Sequence, residues 1–95
     1  MSDIELYRKQ LDDIDQEMRH LFVERMEIVS KVGHWKSLNN FPIYDPVREN
    51  QMIEKNVKAL GNSDVSRYYE EFLKTLIKLS KDYQIALSAR VTNYL

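Results

Sequence analysis

The chain has 95 residues, 14 of them basic and 15 acidic, and no cysteine. A chain of this length forms one modest domain, expected here over residues 1–95. Balanced charge gives no general attraction to nucleic acid or an anionic membrane, and the missing thiols exclude a disulfide framework and a thiolate metal site. Two glycines and two prolines are too few for the turns of a sheet-rich domain, so long helices with few connections are expected. The opening MSDIELYRKQLDDID is acidic and polar, unlike a signal peptide. No apolar run approaches the length that crosses a bilayer, and a soluble cytoplasmic protein is the expectation.

The first helix is expected from about residue 3 to 38, capped by Ser2 or Asp3. Its seam reads Tyr7, Leu11, Ile14, Met18, Leu21, Arg25, Ile28, Val32, Trp35. The steps alternate four and three, as in a heptad repeat. Arg25 alone breaks the apolar rule, and a guanidinium is costly to bury without a partner. NNFPIYDP, residues 39 to 46, gathers turn formers and both prolines and reads as a connection. Asp45 then caps a short second helix of about 46–60, with Pro46 in its first turn. Val47, Met52, Ile53 and Val57 are its expected contacts. Gly61 and Asn62 end it, and Ser63 or Asp64 caps a third helix of about 64–94. The third seam reads Tyr69, Leu73, Leu76, Ser80, Gln84, Leu87, Val91, with two polar residues one turn apart on one face.

The fold class expected is all-α, with two long helices and one short. A helix of roughly 35 residues spans about 50 Å, and two such helices leave seams that one small chain cannot cover. A two-fold dimer is the economical solution.

Each polar residue has an ordinary explanation. Glu24, Glu27 or Asp82 could neutralise Arg25, and Ser80 and Gln84 could fix helix register. Asp45 is accounted for by capping, Arg48 and Glu49 as surface charges, and Lys36 as a cation near a helix C-terminus. Trp35 fits the seam and reads as core, while Tyr44 stands where it could edge a pocket. His20 and His34 have no companions at ligand spacing, so no metal site is expected. Taken together the polar residues point elsewhere. Arg25 and Lys36 are eleven positions apart, close to three helical turns, and so share a face. With Arg48, Ser80, Gln84 and the acceptor Glu49 they would form a cationic pocket suited to a compact dianion that also bears a hydroxyl.

ER at 24–25, VGHWK at 32–36, DPVRE at 45–49 and LSKDYQ at 79–84 resemble the all-helical (AroQ-type, type II) chorismate mutases, over about residues 4–88. His34 and Trp35 depart from the small or basic residues common before that lysine, and Tyr44 before Asp45 is unusual. The resemblance implies an intertwined homodimer of three-helix chains with shared active sites. It implies that Arg25 binds a carboxylate of chorismate beside Ser80, and that Lys36 and Gln84 donate to the ether oxygen that breaks. Glu49 would accept the ring hydroxyl with help from the Asp45 backbone N–H, and Arg48 would support the cationic wall. Arg8 would come from the partner subunit. Arg8 and Arg25 are seventeen positions apart, about 25 Å along one helix, so one small ligand cannot touch both from a single straight helix.

The implied reaction is the pericyclic rearrangement of chorismate to prephenate, in phenylalanine and tyrosine biosynthesis. It requires no cofactor, nucleophile or proton transfer. The protein would hold the enolpyruvyl arm over the ring and stabilise charge growing on the ether oxygen. Two other readings stand beside this one. An isochorismate pyruvate lyase shares the fold and a similar pocket, and a non-catalytic helical dimerisation or regulatory module would retain the seams. DPVRE and Ser80 favour the mutase, and a bland bundle would sooner place leucine at 25, 80 and 84. Met1 and the full motif set suggest a free-standing chain, and free-standing members can also engage another shikimate-pathway enzyme. No basic stripe with interleaved aromatics suggests nucleic acid.

Overall fold

A computed structural model describes residues 2–94, with side chains through residue 90. The described residues form three helices, α1 (Asp3–Leu38), α2 (Pro46–Leu60) and α3 (Ser66–Tyr94), and no strand. Ser2 is the N-cap of α1, its hydroxyl accepting the Glu5 N–H at 3.3 Å. The helix ends where Asn40 takes a left-handed backbone, φ 58°, and the Phe41 N–H reaches back to the Lys36 carbonyl at 2.9 Å. That bond spans six residues, as in a Schellman cap with asparagine in the glycine position.

Asp45 caps α2 through its Oδ1, which accepts the Arg48 N–H at 3.1 Å, and Pro46 follows at the first helical position. Gly61 closes α2 at φ 86°, ψ −172°, a conformation only glycine adopts without strain. The third helix starts later than the expected 64. The Ser63 hydroxyl accepts the Val65 N–H at 3.3 Å, and Ser66 Oγ donates to the Gly61 carbonyl at 3.0 Å. These side chains close a local turn before the helix begins, so neither Ser63 nor Asp64 has the role of a simple cap.

α3 is the central element, and both α1 and α2 pack on it. The Arg25–Ser80 and Val29–Gln84 bonds advance together along both helices, so α1 and α3 cross in parallel sense. α2 doubles back along α3, with Glu49 near its start beside Lys81. Full burial among the described residues is confined to α3. Leu73 is 3% exposed, Gln84 7% and Ser80 9%, and no described residue of α1 or α2 is fully buried.

Two packing expectations need correction. Trp35 is not core within one chain: it is 51% exposed and rests against Phe41 with ring centroids 4.8 Å apart. Val47 is exposed, because it faces outward while Met52, Ile53 and Val57 turn partly inward. Val91, the last expected seam position of α3, lies outside the described side chains. The molecule measures 58 × 31 × 14 Å, one to two helix diameters thick. No described helix is long and apolar enough to cross a membrane.

Candidate functional site

The crossing of α1 over α3, closed by the start of α2, encloses a cleft of about 650 Å³, within the range of small-molecule sites. Arg25, Lys36, Asp45, Arg48, Glu49, Ser80 and Gln84 all line it. Seven of the eight residues expected at the site are thus brought together. The eighth, Arg8, is not among the lining residues and sits on the exposed first half of α1.

Arg25 leans across to α3, where its Nη1 donates to Ser80 Oγ at 2.6 Å. Ser80 Oγ in turn donates to the Leu76 carbonyl at 2.8 Å, which fixes the hydroxyl with a lone pair toward the guanidinium. Burial lowers the Arg25 pKa from its usual value, since desolvation disfavours a cation. Glu24, Glu27 and Asp82 are not its partners: Asp82 pairs instead with Lys78 at 2.8 Å. Arg25 therefore has a neutral hydrogen-bond partner and no counter-ion among the described residues, leaving its charge available to an anion in the cleft.

Gln84 donates from Nε2 to the Val29 carbonyl at 3.0 Å, and its aliphatic stem lies on Gly33. A Cβ at Gly33 would stand 3.0 Å from Gln84 Cγ. Gly33 is thus what lets the buried amide approach α1. Its signal was a glycine inside a long helix beside the seam. Lys36 Nζ donates to the Ile43 carbonyl at 3.3 Å, so the connection between α1 and α2 folds back to hold the ammonium at the cleft wall.

Glu49 reaches in from the first turn of α2. Its Oε1 is buried and receives no hydrogen bond among the described residues, although Lys81 Nζ lies 2.7 Å away. That oxygen is thus turned away from solvent and held against the ammonium. Lys81 also lies 4.8 Å from the centroid of the Tyr44 ring. It was unassigned in the sequence, because a lysine in LSKDYQ reads as one more surface cation. No group of His, Asp and Glu side chains among the described residues is arranged to hold a metal.

Four cations and three carboxylates share this cleft, Glu24 being the third acid. Asp45 is engaged in capping and Glu49 by Lys81, so the accessible excess is positive. Such a site can hold two carboxylates at separate points and accept one hydroxyl.

A family model described as chorismate mutase type II matches residues 7–85, a span that includes every residue of the cleft. A bifunctional chorismate mutase/prephenate dehydratase of Aquifex aeolicus is 30% identical over 94 residues, 90% of this chain and 26% of that protein. A T-protein of Haemophilus influenzae is 43% identical over 47 residues, 50% of this chain and 12% of that protein. A T-protein of Enterobacter agglomerans is 36% identical over 64 residues, 64% of this chain and 17% of that protein. The chain spans about a quarter or less of the length of these curated relatives. On the extent of the family match, and with the whole cleft inside it, the chain belongs to the type II chorismate mutase family.

Proposed function

We propose that this chain converts chorismate to prephenate by intramolecular rearrangement, serving the biosynthesis of phenylalanine and tyrosine. The carrying observation is the convergence of Arg25, Lys36, Arg48, Glu49, Ser80 and Gln84 from three helices on one cleft, in a chain of this family. Arg25, steadied by Ser80, binds one carboxylate, and Arg48 strengthens the cationic wall. Glu49 accepts the ring hydroxyl, with the Asp45 N–H beside it at the head of α2. Lys36 and Gln84 donate to the ether oxygen as its bond to the ring lengthens. Binding fixes the enolpyruvyl arm in the reactive chair, and the two donors stabilise charge that grows only in the transition state.

The working unit is proposed to be a two-fold dimer. A compact protein of 11.4 kDa exposes about 5,800 Å², whereas this chain exposes 8198 Å². The excess, about 2,400 Å² per chain, is in the range of an obligate interface. The exposed seam from Tyr7 to Val32 supplies the apolar face, and an antiparallel partner along α1 would bring its Arg8 to the open side of the cleft.

The test is chorismate consumption followed by ultraviolet absorbance, with products separated by chromatography, for wild type and Lys36→Ala. Prephenate from wild type, with kcat reduced by about 10²-fold or more in the variant, is expected. Pyruvate from isochorismate with little prephenate would move the assignment to the lyase. A folded dimer inert to both substrates would leave a binding module.

A further inference from the structure

α3 carries several lysines that pair along its own surface. Lys74 meets Glu70 and Glu71, and Lys78 meets Asp82, all at helical spacing and well exposed. Lys81 differs. It reaches off α3 to Glu49 on α2, with both side chains mostly buried, at 30% and 19% exposure. Its ammonium also lies against the Tyr44 ring, in the connection that precedes α2. One cation therefore joins three segments at the cleft wall.

Glu49 has other cations within the same cleft, Lys36 and Arg48. A free carboxylate there would turn toward them, cancelling charge needed by an anionic ligand and losing its own acceptor orientation. Lys81 offers the carboxylate a counter-ion on the side of α3 instead, engaging the buried Oε1 at 2.7 Å. The Tyr44 ring adds a cation–π contact to the same ammonium, 4.8 Å from the ring centroid.

We propose that Lys81 is a positioning residue for the substrate's ring hydroxyl, acting through Glu49: it holds that carboxylate by one oxygen at the cleft wall and away from Lys36 and Arg48. The inference rests on the mutase reading above, since it presumes a dianion bearing a hydroxyl. The hydroxyl sits on the ring carbon next to the one whose ether bond breaks. Its own bonds are unchanged by the rearrangement, so its recognition is expected to contribute to ground and transition states alike. That kind of contribution appears in KM.

The test is a double-mutant cycle on the full chain, using Lys81→Met, Lys81→Arg, Glu49→Gln and the Lys81→Met/Glu49→Gln pair. Chorismate kinetics and calorimetric binding of prephenate are both read, with circular dichroism melting as the folding control. Lys81→Met is expected to raise KM about tenfold with kcat within about twofold, as for loss of one charged hydrogen-bond contact. Lys81→Arg should recover all but about threefold of the loss, because the charge is kept. In the Glu49→Gln background, Lys81→Met should change KM and prephenate affinity less than about twofold. An equal penalty in both backgrounds would overturn the proposal, making Lys81 a direct electrostatic or structural residue. An unchanged KM in the single variant would also overturn it. A wild type inert toward chorismate would defeat the mutase reading first, whereas an active wild type with additive variants defeats only the role of Lys81.

Discussion

Gln84 is nearly enclosed, and one of its amide hydrogens is held by the Val29 carbonyl. The other is free to donate into the cleft. A neutral amide donates at any pH, so activity should stay broad across the neutral range. In Gln84→Glu the carboxyl must be protonated before it can donate. Burial raises a glutamate above its ordinary value of about 4.3, so activity of that variant should rise as pH falls through the raised value. A pH–rate profile checks this, and equal activity of variant and wild type at neutral pH would remove Gln84 from the assigned role. Gly33→Ala probes the same contact from α1. Alanine improves helix propensity by about 1 kcal/mol, but its Cβ meets Gln84 Cγ at 3.0 Å. That carbon belongs to a buried, tethered side chain with little room to yield. The expected outcome is stability within about 1 kcal/mol of wild type and, under the proposed role of Gln84 as a donor to the ether oxygen, kcat lower by about tenfold, because small displacements of such a donor are costly. Thermal melts and steady-state kinetics separate the two effects.

At the scale of the elements, the start of α2 lines the cleft and its last two turns do not. Asp45, Arg48 and Glu49 face the cleft within the first turn, and the aspartate's side chain is occupied in capping. Gly61 closes the helix with no atom within 4 Å of the Cβ it lacks. Gly61→Ala therefore meets no steric obstacle, and its cost is backbone strain of about 1–3 kcal/mol. Denaturant unfolding should record that loss while kcat stays at the wild-type value. A fall in kcat would mean that the turn is coupled to the cleft. α1 divides in a different way. Its second half meets α3 through Arg25, Val29 and Gly33, whereas its first half carries Tyr7, Leu11, Ile14 and Met18 with about half of each exposed. Helix propensity and capping alone do not usually hold so long an apolar face in water.

The whole molecule is elongated. Its radius of gyration is 17.2 Å, against about 12 Å for a compact domain of this length. Under the dimer proposed here, each site draws Arg25 from one chain and Arg8 from the other. Arg8→Ala and Arg25→Ala should each be nearly inactive, yet co-refolded mixtures should recover about a quarter of wild-type activity. Half of the dimers are then mixed, and one of the two sites in each is intact. No recovery in a mixture shown to contain mixed dimers would place both arginines in one chain's site, or Arg8 outside it.

Local sequence determined where α1 and α2 start and stop, because capping by Ser2 and Asp45, the asparagines after Leu38 and Gly61 act over a few residues. It also marked Arg25, Ser80 and Gln84 as polar positions in apolar seams, since periodicity exposes such exceptions. The start of α3 was misjudged because Ser63 and Ser66 satisfy a turn before they serve a helix. Trp35 and Val47 were misjudged because seam position alone does not say which surface a single chain can cover. Only the tertiary structure decided that Arg25 meets Ser80 rather than an acid, that Gly33 makes room for Gln84, and that Lys81 crosses to Glu49. Each depends on how α1 and α2 approach α3. That approach is fixed by contacts between residues up to 55 positions apart, beyond the reach of any local pattern.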